Sequence, residues 1–153
     1  MIMERLQYEI SIAAPAAKVW RTMLEKETYL QWTANAWPGS TFQGEWKEGE
    51  QIRFVGADGS GTLAEIEEIK PFEKIFARHV AVLLPGGKED RTSDAAKGWG
   101  GTIEAYSFKE EGGNTKVTVI IETAPEWRQM FDDTWPSALE DLRKIIERQP
   151  ASV

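Results

Sequence analysis

The chain has 153 residues, no cysteine and a formal net charge of -7 from 25 acidic and 18 basic side chains. That length supports one hydrophobic core without staples, and the missing thiols exclude disulfides, thiolate nucleophiles and thiolate metal sites together. The acidic balance disfavours nucleic acid as a partner, because phosphate-backbone binding draws on clustered Lys and Arg.

The opening MIMERLQYEI has neither a basic n-region nor an apolar h-region, and no apolar run reaches the roughly 18 residues that span a bilayer. The expectation is a soluble, unexported, cytoplasmic protein without a membrane span. Seven tryptophans in so short a chain need either a core or a pocket.

From Met3 to Ala13, Leu6, Tyr8, Ile10 and Ile12 alternate with Arg5, Gln7, Glu9 and Ser11, the period of a half-buried strand. Pro15 then opens a short helix to about residue 25, with Val19, Trp20, Met23 and Leu24 at helical spacing. Tyr29, Leu30 and Trp32 predict another turn or two of helix, ended by Pro38 and Gly39.

TFQGEW and QIRF, separated by Lys47, Glu48 and Gly49, read as a hairpin. TLAEIEEI and EKIFARHVAVLL predict two more strands around the turn at Lys70, Pro71 and Phe72. The segment from Pro85 to Gly101 is rich in Gly and charge, with little periodicity, and reads as a long loop. Strands resume in TIEAYSFKEE, turn at Gly112, Gly113 and Asn114, and return as TKVTVIIETA.

The last run, Glu126 to Arg148, is an amphipathic helix whose stripe holds Phe131, Trp135, Leu139, Leu142, Ile145 and Ile146. Pro136 inside it removes an intrahelical hydrogen bond and predicts a kink or restart. Strands joined by short turns are antiparallel, so the whole is a single α+β domain: a meander with its helices on one side.

This order, with several local strings, resembles the helix-grip fold of the START-like superfamily, and within it the single-domain relatives of the Hsp90 ATPase activator, the AHSA1-like or SRPBCC proteins. The residues that carry the resemblance are Ala14, Pro15, Val19 and Trp20, Leu30 with Trp32, the strings GEWKEGEQIRF, GTLAEIEEIKPFEKI and GGNTKVTV, and Trp135 to Leu142. The resemblance implies a curved antiparallel sheet of about seven strands wrapped on the C-terminal helix, with a cavity between them that holds an apolar small molecule in many members. Function does not travel with a fold, and no catalytic motif of the family transfers.

His79, the single histidine, shares strand parity with Ile75, Ala77, Ala81 and Leu83. If that set lines the concave face, His79 projects toward the cavity beside two small alanines, placed to orient a ligand or move a proton. The alternative is a polar strand residue bonded to a neighbour. Glu104 has the parity of Tyr106 and Phe108, so it points with aromatic side chains, unless the strand's start is solvated. Tyr106 offers a hydroxyl to a ligand or to the backbone.

Trp32, Trp37, Trp99, Trp127, Phe131 and Trp135 form the aromatic set nearest the expected mouth; plain core packing is the competing reading for the set and the preferred one for Trp20 and Trp135. Trp99, at the end of the predicted loop, is read as closing over a ligand or covering a sheet edge. With Phe54, His79, Glu104 and Tyr106, these are the expected ligand-binding residues. Acidic pairs such as Glu67/Glu68 and Asp132/Asp133 read as solvated surface. One histidine, and the opposite facing of adjacent strand residues, disfavour a metal site, and no cofactor is implied.

Three functions follow as expectations. The first is binding of a small apolar or aromatic molecule under the C-terminal helix. The second is a protein-interaction module of the co-chaperone kind. The third is a cyclase- or hydrolase-type enzyme using His79 with Glu104 or Tyr106, which requires those side chains to converge in one pocket.

Overall fold

Alternating burial shapes the first strand, β1 (Glu4–Ile12), in the computed structural model of the chain, which describes residues 3–148. Leu6 and Ile12 face the core while Arg5, Gln7, Glu9 and Ser11 stay exposed. Two helices follow, α1 (Ala16–Leu24) and α2 (Lys26–Thr33), separated by Glu25 in an extended conformation. Val19 and Met23 of α1 and Tyr29 and Trp32 of α2 are buried, one helical turn apart in each case.

The remaining strands are β2 (Thr41–Gln43), β3 (Gln51–Val55), β4 (Gly61–Lys70), β5 (Lys74–Leu83), β6 (Glu89–Asp90), β7 (Ile103–Glu111) and β8 (Asn114–Thr123). They form one antiparallel sheet in the order β1-β8-β7-β5-β4-β3-β2, with the short β6 beside β5. The β4–β5 ladder is interrupted twice, between Leu63 and Ala64 and between Ile66 and Glu68. Such bulges bend and twist a strand, which curves the sheet around whatever packs on its inner face.

What packs there is α4 (Arg128–Arg148), entered through a single 3-10 turn at Pro125–Trp127. It lies against β1, α1 and α2. Leu139, Leu142 and Ile146 are buried on its second half and join Leu6, Ile12, Val117, Val119 and Ile121 in the main core. The helix runs without interruption across the exposed Pro136, so the restart predicted there does not occur. A proline ring and a missing N–H are tolerated on a helix whose other face is clamped by packing.

The segment predicted as a long loop, Pro85 to Gly101, is more ordered than its composition suggests. It contains β6 and a short helix, α3 (Asp94–Trp99). Ser93 caps α3 by accepting a hydrogen bond from the Ala96 N–H at 3.2 Å, and Asp90 accepts from the Thr92 and Ser93 N–H groups at 3.1 Å each. Trp99 is thereby delivered inward from a helix end and is buried. Backbone bonds then zip the exit to the sheet: His79 N–H to Thr102 O at 2.8 Å and Gly101 N–H to His79 O at 2.9 Å.

Candidate functional site

A cavity of about 420 Å³ lies between the concave face of the sheet, α2 with the loop after it, and the first half of α4. From α2 and its loop come Tyr29, Trp32, Trp37 and Ser40. The β3–β4 hairpin adds Phe54, Ser60, Gly61 and Thr62, and α4 adds Met130, Phe131 and Trp135. His79, Trp99, Glu104 and Tyr106 complete the inner wall. Gly61 is needed where it stands, because a Cβ there would collide with the Phe54 carbonyl across the β3–β4 ladder.

The aromatic rings pack on one another as well as on the cavity. Trp135 meets Trp37 edge-on at 5.2 Å between centroids, and lies 6.1 Å from Trp32 and 5.8 Å from Tyr106. Trp99 stacks on Phe131 at 6.0 Å and meets His79 at 4.9 Å. Trp135 therefore fills both roles weighed for it, buried core and cavity wall.

Strand pairing brings the polar groups together. β5 and β7 are neighbours in the register Ala77↔Glu104 and Ile75↔Tyr106, so His79, Glu104 and Tyr106 project from adjacent rungs on the same face. His79 Nε2 is 3.1 Å from Glu104 Oε1, and the Tyr106 hydroxyl donates to Glu104 Oε2. His79 is 2% exposed and Glu104 13%. Glu104 is thus not solvated as the start of a strand can be, and what accessible surface it keeps belongs to a cavity-lining side chain.

Burial by itself would raise the Glu104 carboxyl, but hydrogen bonding from His79, its charge, and the Tyr106 hydroxyl outweigh that and hold the group below the ordinary carboxylate range. The effect is felt across the cavity. Tyr106 is pushed well up by burial and then by the Glu104 charge, and Tyr29 is raised by the same two causes in the same order. His79 Nδ1 is buried and has no hydrogen-bond partner among the described residues. The tautomer that leaves no buried N–H unpaired has Nε2–H donating to Glu104 and a bare lone pair at Nδ1.

Nine of the ten expected site residues line the cavity: Trp32, Trp37, Phe54, His79, Trp99, Glu104, Tyr106, Phe131 and Trp135. Trp127 does not; it sits behind Trp99 with ring centroids 5.5 Å apart and supports the wall from outside. Tyr29 was missed, although its i, i+3 spacing to Trp32 puts both on one helix face. Ser40, Ser60 and Met130 carried no periodic signal because they come from turns or from the flank of the α4 stripe, and Thr62 stands at the very start of β4. Among the described residues no group of three or more His, Asp or Glu side chains is placed to hold a metal ion.

An antiparallel sheet gripping a C-terminal helix, with two short helices after the first strand, places the chain in the helix-grip class of α+β folds. Residues 13–147 match the family described as Activator of Hsp90 ATPase homolog 1-like protein, and the chain belongs to that family. Its fold is similar to the solution structure of the Aha1 dimer from Colwellia psychrerythraea, with a TM-score of 0.72 and 15% identity, covering 95% of this chain and 98% of that one. Protein MLL2253 from Mesorhizobium loti is similar at TM-score 0.72 and 14% identity, covering 96% and 99%. A Rhizobium leguminosarum protein is similar at TM-score 0.65 and 20% identity, covering 96% and 97%. No curated protein sequence matches the chain. Among the described residues no helix is long and apolar enough to cross a membrane.

Proposed function

We propose that the protein binds a small molecule with an apolar or aromatic body in the cavity between its sheet and α4. The observation that carries this reading is the aromatic-walled space of about 420 Å³, within the range of small-molecule sites, with a few convergent polar groups on its inner wall. Expected binding residues are Trp32, Trp37, Phe54, Trp99, Phe131 and Trp135 for the apolar body, and Glu104 with Tyr106 for polar atoms.

Acid–base chemistry by His79, Glu104 and Tyr106 meets its geometric condition, since the three side chains converge. The carboxyl facing the cavity is nevertheless held in its charged form, whereas general acid–base work favours a group that titrates near the working pH. A fixed charge fits the arrangement better. As a protein-docking surface the chain offers less: the exposed large apolar residues among those described are Met3, Leu30, Phe72 and Leu84, drawn from four separate segments.

Titration with N-phenyl-1-naphthylamine, an uncharged fluorescent probe, tests the reading. Saturable emission with an increase in melting temperature, both weakened in Trp37→Ala, is the expected result. Absence of saturation and of any thermal shift in the wild-type protein, with this probe and with charged aromatic probes alike, would overturn it.

A further inference from the structure

The cavity is not evenly apolar. Among the described residues Glu104 is the only carboxylate on its wall, and no Lys or Arg lines it. His79 lines the same wall beside that carboxylate, but at 2% exposure it is packed against Trp99 and Phe54, while Glu104 at 13% keeps more surface. In the neutral tautomer, which leaves no buried N–H unpaired, Nε2–H donates, Nδ1 is bare, and His79 orients the carboxylate without cancelling its charge. The site therefore presents one negative charge among aromatic faces, in a chain whose formal net charge is already -7.

Any molecule that fills the space covers Glu104. A neutral hydrocarbon strips the remaining water from a carboxylate and returns nothing, which costs far more than burying apolar surface alone gains back at that contact. An anion adds repulsion. A cation repays the lost hydration through its charge, and it also gains from the negative faces of the indole and phenol rings, a gain that grows as water is excluded. Trp135, with Trp32, Trp37 and Tyr106 around it, supplies such faces beside the Glu104–Tyr106 pair.

Resting on the small-molecule reading above, we infer that the ligand is an organic cation: an ammonium group carried on an apolar or aromatic body, with the charge facing Glu104 and the body against the tryptophans.

Three probes of similar size separate the possibilities: benzyltrimethylammonium, its uncharged carbon isostere neopentylbenzene, and phenylacetate. Binding is read by quenching of tryptophan emission and by thermal shift, on wild-type protein and on Glu104→Gln. Wild-type protein is expected to prefer the ammonium over the isostere by about tenfold or more, as a desolvated cation–π contact with a counter-charge supports, and to bind phenylacetate weakest. In Glu104→Gln the ammonium preference is expected to fall toward unity while the isostere binds at least as well as before. If the isostere equals the ammonium on wild-type protein, or if the preference survives in the glutamine variant, the cation inference is overturned and the cavity remains a site for neutral molecules. If N-phenyl-1-naphthylamine and all three probes fail to bind, both readings fall together. Should Glu104→Gln not fold, the wild-type comparison of ammonium, isostere and phenylacetate decides the question alone.

Discussion

Glu104 is the residue on which the chemistry of the cavity turns, and its linkage to folding has a definite sign. Its folded-state pKa lies below the ordinary value of 4.5, so the charged form stabilises the fold in full above about pH 5. That contribution is lost as pH falls through the depressed value. Melting temperature followed from pH 7 down to pH 3 should therefore drop more steeply for the wild-type protein than for Glu104→Gln, and the difference between the two should change mainly below the ordinary carboxylate pKa. Parallel curves would mean that the His79 and Tyr106 bonds do not hold the carboxylate as drawn. The parity of this residue with Tyr106 was legible in TIEAYSF, because side chains on a strand alternate strictly. Its union with His79 was not, because which strands become neighbours is decided by the long β5–β7 connection, whose residues carry no pairing signal.

At the level of elements, α4 was the most legible part of the sequence, and the restart expected at Pro136 the part of it that does not occur. A sustained apolar stripe declares a helix over many turns, and Leu139, Leu142 and Ile146 are buried as the stripe requires. The proline rule is local, and here it is overridden by packing on both sides of it through Trp135 and Ala138. The hydrogen bond that a proline cannot donate is still missing, and Pro136 is exposed, so nothing in the core depends on its ring. Pro136→Ala should therefore stabilise the protein, by up to about 3 kcal/mol if the helix was carrying the full cost of an internal proline. Urea denaturation measures this directly, and a loss of stability would show that the ring itself contributes to the wall of the cavity. The opposite error occurred in α3, whose six residues are too few to display a period, so that only Ser93 as a cap marked it. Trp99, read as a loop residue, is in consequence a fixed part of the wall.

The molecule as a whole divides the work of folding from the work of binding along the length of its sheet. At one end Trp20, Phe72 and Phe108 close the space between α1, the β4–β5 turn and β7, with centroids 6.0 Å and 5.2 Å from Trp20. At the other end the same two layers, sheet and helix, are held apart by Trp37, Phe54, Met130 and Phe131, and the cavity remains. An α+β meander with its helices on one side was legible from element order, and the helix-grip architecture from the family resemblance, but this asymmetry was not, since both ends are built from aromatic residues. The two ends are compared at one residue each: Phe108 is buried, whereas Trp37 is half-buried at the cavity. Phe108→Ala should cost about 3–5 kcal/mol, the usual loss for deleting a packed aromatic ring, while leaving probe affinity at temperatures below the transition unchanged. Trp37→Ala should do the reverse, weakening probe binding while reducing stability less, because a residue that already faces open space leaves a smaller void when truncated. Chemical denaturation and fluorescence titration on the same two variants would read both quantities. If Phe108→Ala weakened binding as much as Trp37→Ala, the two ends would be coupled through α4 as one body, and the closed end would have to be counted as part of the site.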